Sequence, residues 1–158
     1  MAFSVSKGTR ADMHTHSETS HDSVCSIEDM CLSQIEKGTQ IMAVTDHFDT
    51  ASFERYDIFT PIRNAYDTIG ELNKKYGEKC LILSGVEISE SFWYPEVYEK
   101  VMMLADFDVI IGSVHLVKYK EMTSAYSGID FSKVTTDEIY GFLEAYFDDV
   151  LTMTDFAD

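Results

Sequence analysis

Three of the five histidines of this chain fall within the segment ADMHTHSETSHD, residues 11–22, and the other two, His47 and His115, close short apolar runs. His14 and His16 are two apart, a spacing that puts both imidazoles on one face of a β-strand. Such a pair at a strand's end can grip a divalent metal, although the same pair on an ordinary edge strand needs no ligand. Asp46 and His47 end AVTDH, Glu87 ends LSGVE, and His115 ends IGSVH. Imidazole nitrogens and carboxylate oxygens are ligands for zinc, manganese or iron. Two dications flanking one oxygen acidify a bound water into a hydroxide nucleophile, and the same ions neutralise charge on phosphate oxygens. A carboxylate suits the place between them because it has one oxygen for each ion. No Ser–His–Asp grouping or P-loop offers a covalent or nucleotide-binding route: Gly112-Ser113 comes without a lysine or further glycines.

The elements that must position these side chains follow from periodicity and punctuation. Residues 10–15 read as a short strand. SIEDMCLSQIEKG starts at Ser26, a helix N-cap, and stops at Gly38, with Ile27, Met30, Cys31 and Ile35 at helical spacing. QIMAVTDHF is an almost unbroken apolar strand, as expected for a parallel strand buried on both faces. TPIRNAYDTIGELNKKYG has Thr60 as cap, Pro61 at the first helical position and Gly77 past the end. CLILSGVEI is a strand, YPEVYEKVMMLADF a helix and DVIIGSVHL a strand. In the last segment Thr135 and Glu138 form a capping box, and Ile139, Phe142, Leu143, Tyr146, Phe147, Val150 and Leu151 make an apolar stripe. The order is β-α-β-α-β-α-β-α, an α/β architecture with a parallel sheet. Each strand then finishes in a metal-capable side chain, at the face where parallel α/β folds place their sites. A satisfied structural histidine explains any one of these residues, but it must do so at four corresponding positions.

The bulk composition sets the surroundings. A chain of 158 residues with 45% hydrophobic and 25% charged residues has one domain's worth of core. The net charge of −16 repels nucleic acid and anionic membranes, and any phosphate chemistry needs a strong local cation. No apolar run has the length of a membrane span, and the first ten residues lack the apolar core of a signal peptide. Cys25, Cys31 and Cys80 form no CxxC pair, so a zinc knuckle or disulfide framework is not expected and a reducing cytoplasm is. Cys25 and Cys31 read as small core residues.

DMHTHSETSHD, AVTDHF, SGVEI and GSVH, in this order, resemble the successive motifs of the polymerase and histidinol phosphatase (PHP) family, in the flavour of its stand-alone histidinol-phosphatase-like branch. The resemblance runs from about residue 11 to residue 158. It implies a distorted TIM-like barrel of about seven strand–helix units, of which these 158 residues cover about the first four. It also implies up to three divalent metal ions, usually zinc, manganese or iron. Carried over motif by motif, His14 and His16 are ligands of the first metal and Glu87 bridges the first and second. His115 is a ligand of the second metal and His47 of the third. The family position six residues after the second histidine of HxH falls on Asp22, while His21 is adjacent and chemically capable; spacing favours Asp22. Glu87 and Asp46 are the residues expected to matter for catalysis, Glu87 by bridging and Asp46 by orienting a ligand or strand end. Glu18 and Asp49 read as solvated loop carboxylates. The implied activity is hydrolysis of a small phosphomonoester by a metal-bound hydroxide, histidinol phosphate above all, which would serve histidine biosynthesis.

The family's later HxD-type and DxH-type motifs do not occur here, so each of the three sites lacks one ligand by resemblance. Weak activity of these residues alone is the expectation, and the missing barrel strands would leave open edges through which copies of the chain self-associate. Two rival readings remain. One is a non-catalytic metal-binding or interaction module. The other is a different barrel hydrolase of the amidohydrolase type, which also opens with HxH but calls for a lysine at a strand end. None of the four strand ends has one, although Lys118 and Lys120 follow the last.

Overall fold

The computed structural model describes residues 8–156. Four strands, β1 (Ala11–Thr15), β2 (Ile41–Asp49), β3 (Leu81–Ser89) and β4 (Val109–Ser113), form one parallel sheet in the order β1-β2-β3-β4. Helices α1 (Ile27–Glu36), α2 (Phe59–Tyr76) and α3 (Pro95–Met102) connect them. A two-stranded antiparallel hairpin follows, β5 (Leu116–Tyr119) and β6 (Met122–Ala125), and then the long α4 (Thr136–Phe156). These are four strand–helix units of a parallel α/β barrel, with β1 and β4 at the edges of the sheet.

The punctuation residues explain most boundaries. Ser26 Oγ accepts the N–H of Asp29 at 3.1 Å and caps α1. At the other end Gly38 adopts a left-handed φ of 74°, and the N–H groups of Gly38 and Thr39 return to the carbonyls of Ile35 and Gln34. That pairing satisfies the last turn and turns the chain into β2. The capping box of α4 forms as expected: the Thr135 N–H donates to Glu138 Oε2 at 2.8 Å, and the Glu138 N–H to Thr135 Oγ1 at 3.3 Å.

Three boundaries differ from the sequence reading. Helix α2 starts before Thr60, because Asp57 Oδ1 accepts the N–H groups of both Phe59 and Thr60 at 3.1 Å and takes over the cap. Pro61 then sits inside the first turn, where its missing N–H costs nothing. Helix α3 ends at Met102, not near Phe107; Arg63 Nη1 donates to the Leu104 carbonyl at 2.6 Å and closes the chain there. The strand expected to run through Leu116 stops at Ser113, and residues 116–125 fold into the hairpin instead. Lys120 takes a φ of 54° at the hairpin turn.

The outward face of the sheet is covered by helices. Met42, Val44 and Ile82 pack with Ile27 and Cys31 of α1 and with Ala65, Ile69 and Leu72 of α2. Phe48, Val86 and Ile88 pack with Ile62 of α2 and with Val97 and Val101 of α3. Of the cysteines assigned to the core, Cys31 is fully buried, whereas Cys25 is half-buried in the loop before α1. A third cluster, Val117, Ile129 and Phe142, joins the hairpin to α4. The apolar stripe expected on α4 is only partly used: Phe142 is buried, but Phe147 and Leu151 are 58% and 64% exposed. The inner face belongs to the site. Gly85 lies there where a Cβ would meet Thr45 Cγ2 at 2.7 Å and two backbone carbonyls at 3.0 Å, so the strands approach too closely for any side chain.

Candidate metal centre

Four strand ends deliver their polar side chains to one place. β2 and β3 pair in unbroken register, and His47 lies directly opposite Glu87. The β1–β2 pairing shifts between Asp12 and Thr15, so β1 carries one extra residue at the position of His14. Such a bulge beside a site re-aims a side chain. His16 follows just past the strand, and its Nε2 lies 3.0 Å from that of His14. The structure thus brings the two histidines together through a less regular backbone than a plain two-residue alternation.

Glu87 is the hub. It is only 4% exposed. Its Oε2 lies 3.0 Å from His14 Nε2 and 2.9 Å from His16 Nε2, and its Oε1 lies 3.1 Å from His115 Nε2. His47 completes the ring, with Nδ1 3.5 Å from Glu87 Oε2 and Nε2 3.5 Å from Asp22 Oδ2. Asp22 Oδ2 is also 3.0 Å from His16 Nδ1. His21, the alternative to Asp22, stays at the rim: its side chain is 71% exposed, 3.9 Å from Asp49 and with its ring centroid 5.0 Å from that of His47.

Asp46 is brought close in sequence but not into the cluster. It is buried, and it accepts the N–H of Ser17 at 2.6 Å and the hydroxyls of Ser17 and Ser20 at 2.7 Å. Ser20 Oγ in turn accepts the N–H of His47 at 3.0 Å. Asp46 therefore ties the loop that carries Asp22 to the end of β2. Glu18 is exposed on that loop, as expected.

The reading of Asp49 as a solvated carboxylate is corrected. Asp49 Oδ1 lies 3.1 Å from His115 Nδ1 and accepts the Ser89 hydroxyl at 3.0 Å. Strand alternation was the available signal, because Asp49 is two residues beyond His47 on the same strand and so shares its face. Glu90, just past β3, was also missed. Its carboxylate accepts the backbone N–H groups of His115 and Leu116.

The electrostatics are those of a cation site. The hydrogen bond to Asp49, then that to Glu87, holds the His115 imidazolium up to about 10. Burial works to raise Glu87, but His115 and His14 outweigh it and hold the carboxyl well below the usual carboxylate range. Burial pushes His47 down, toward the neutral form that ligates metals. The carboxylates thus demand a positive partner, which a proton on imidazole or a divalent cation can supply.

The donors present fit a metal. Three groups have their ligand atoms within 4.8 Å of one another: His14, His16 and Glu87; His16, Asp22 and His47; His47, Asp49 and His115. The buried Nδ1 of His47 has no hydrogen-bond partner, an expensive omission unless something else occupies it. A cavity of 490 Å³ opens beside the cluster, lined by His47, Asp49, His115 and Glu90 and by Leu116 and Ala125 of the hairpin. Among the described residues no lysine or arginine lines it. An anionic substrate there would depend on bound cations for its counter-charge.

Comparison with known proteins bears on the family and the fold. The profile of the family described as PHP domain matches residues 12–158. A crystal structure of histidinol phosphate phosphatase from Lactococcus lactis subsp. lactis Il1403, complexed with zinc, L-histidinol and phosphate, superimposes with a TM-score of 0.56 at 22% identity, covering 72% of this chain and 44% of that one. A crystal structure described as a candidate histidinol phosphatase from Listeria monocytogenes superimposes with a TM-score of 0.67 at 20% identity, covering 89% of this chain and 60% of that one. Likeness at these identities speaks for the fold alone. DNA polymerase/3′-5′ exonuclease PolX from Bacillus subtilis (strain 168) is 32% identical over 106 residues, which are 67% of this chain and 18% of that protein. The chain thus spans less than two thirds of each of these proteins.

Proposed function

The chain belongs to the PHP domain family, and from that premise we propose that its histidine–carboxylate cluster is a divalent-metal centre for hydrolysis of a small phosphomonoester. One observation carries this reading: Glu87 turns one oxygen to His14 and His16 and the other to His115, all within 3.1 Å. Zinc, manganese or iron, up to three ions in a complete barrel, would supply Lewis-acid activation of water and counter-charge for the phosphate.

This chain's own residues prepare the site. His14 and His16 with Glu87 hold one position, and Glu87 with His115 an adjacent one. Asp22 and His47 hold the third. Asp49 fixes the His115 ring from the far side, the outer carboxylate common to metal-bound histidines. Asp46 contributes by holding the loop of Asp22. The hairpin walls the cavity in which the leaving alcohol would sit. Histidinol phosphate is the substrate we favour, on the resemblance of the ordered motifs at His14, His47, Glu87 and His115 to the histidinol-phosphatase-like branch.

The test is metal analysis and turnover of histidinol phosphate by protein purified without chelators or a metal-affinity tag. Bound metal and metal-dependent phosphate release are expected. Metal content unchanged by His14→Ala with His16→Ala would overturn the assignment. A second reading, a metal-binding module without turnover, is favoured by a cavity whose lining among the described residues includes no lysine or arginine; it predicts bound metal and no phosphate release.

A further inference from the structure

Glu90 is only 1% exposed, and its φ of 45° lies in the left-handed region that side chains other than glycine seldom occupy. Its own N–H donates to the Ser113 carbonyl at 3.1 Å. One carboxylate oxygen, Oε1, accepts the N–H of His115 and, at 2.8 Å, that of Leu116. The other, Oε2, is buried without a hydrogen-bond partner among the described residues. A buried acid that is half-satisfied and sits on a strained backbone persists only where its surroundings over-determine it. Here it ends the parallel ladder at Ser113 and captures the next free N–H groups, bending the chain from β4 into the hairpin.

We propose that Glu90 is a positioning residue for His115, clamping the peptide of residues 115–116 so that His115 Nε2 stays opposite Glu87 Oε1. Glu87 and Glu90 lie three residues apart at the end of β3. One short rigid segment therefore carries both the central carboxylate and the clamp. The 3.1 Å spacing between Glu87 and His115 is set by that segment, although His115 itself is on a loop. Asp49 fixes the rotation of the ring and Glu90 fixes the backbone beneath it. The proposal rests on the reading of Glu87 and His115 as joint metal ligands.

Zinc titration against a chromophoric chelator tests it in the full chain, counting equivalents and their affinities. H115A should lose one tight equivalent. E90A should weaken that same equivalent by about 10–100-fold, the usual cost of removing an outer support, and leave the others alone. E90Q keeps an oxygen able to accept both N–H groups and should bind within a few-fold of the parent. E90D, one methylene shorter, should behave as E90A and serves if E90A does not fold. The double variant E90A/H115A should bind no worse than H115A, because both changes act on one ligand. Hydrogen exchange in metal-free protein should show lost protection at the amides of His115 and Leu116 in E90A but not in E90Q. E90A binding like the parent while H115A loses an equivalent overturns the clamp alone, as does an E90Q as weak as E90A. An H115A that binds like the parent overturns the metal-centre reading and the clamp with it.

Discussion

His115 and Asp49 meet through Nδ1 and Oδ1 at 3.1 Å, which leaves the other ring nitrogen of His115 facing Glu87 Oε1 at the same distance. The imidazole is held between an outer and an inner carboxylate, which fix the rotation of its ring, while the loop backbone sets where the ring stands.

Removing the outer partner should therefore weaken metal binding without removing a ligand. D49A is expected to lower affinity for one zinc equivalent by about 10–100-fold, and D49N, which retains an acceptor oxygen, by less. Isothermal titration with zinc distinguishes the two; equal losses would mean that the carboxylate acts through its charge or as a ligand.

Glu87 and Asp22 should differ in consequence. Glu87 faces four imidazoles with two oxygens, three of them within 3.1 Å, whereas the Asp22 side chain is 45% exposed and borders one group of donors. E87A is expected to cost more in kcat than D22A, by at least about tenfold (about 1.4 kcal/mol in barrier height), and to lose more metal. Steady-state kinetics with parallel elemental analysis check this, and equal or reversed losses would count against a bridging role.

Asp46 should show itself in stability first. It accepts three hydrogen bonds from Ser17 and Ser20 in a buried setting. D46A leaves those donors unsatisfied and is expected to destabilise the metal-free protein by about 3 kcal/mol, read from urea unfolding. A neutral effect would mean that the loop after β1 is held by other contacts.

Gly85→Ala tests the inner face. The added methyl would meet the Thr45 side chain and two carbonyls on neighbouring strands. Overpacking of this kind costs about 1–3 kcal/mol, and metal affinity should fall as well, because one neighbouring strand carries His47 and the other leads into the loop of His115. Thermal melts with and without zinc measure both effects.

The sheet edges predict self-association. β1 and β4 pair on one side only within the four-stranded sheet, and Met13 and Ile110 on those strands are exposed. Parallel edges of this kind recruit another chain. We propose that copies of this chain pair there, opposed by the net charge of −16 and helped by salt that screens it. Sedimentation velocity at low and high ionic strength should show more oligomer at high salt; a monomer in both would overturn the idea.

The sequence was most legible where one residue has one physical job. Ser26 and Gly38 bound α1 because a side-chain acceptor and a left-handed φ are local requirements. The apolar runs of β2 and β3 announced burial on both faces, and the polar residues closing each run marked the common face. Legibility failed where the decisive partner is distant. Nothing near Asp57 says that its carboxylate will start α2 in place of Thr60, and nothing near Met102 says that Arg63 will end α3. The hairpin lacks an Asn-Gly or Asp-Gly turn, since Lys120 takes the left-handed position, and its packing partners Ile129 and Phe142 lie further along the chain. Asp49 is within reach of alternation alone, since it is two residues beyond His47 on β2, although a carboxylate near a loop is usually solvated.

The unbroken pairing of β2 with β3, set against the bulge in β1, divides the chain by its tolerance of insertions and deletions. Removing one residue from β2 before His47 would turn that imidazole toward the helices and bring a core residue such as Phe48 into the centre. Overall composition would barely change, yet both the packing and the ligand set would be scrambled. β1 already accommodates an extra residue between Asp12 and Thr15, but the connection after it is fixed by the buried Ser17 and Ser20 on Asp46. Length can therefore vary at exposed turns such as that of the hairpin at Lys120, while the nine-residue ladder of Ile41–Asp49 against Leu81–Ser89 acts as a fixed ruler.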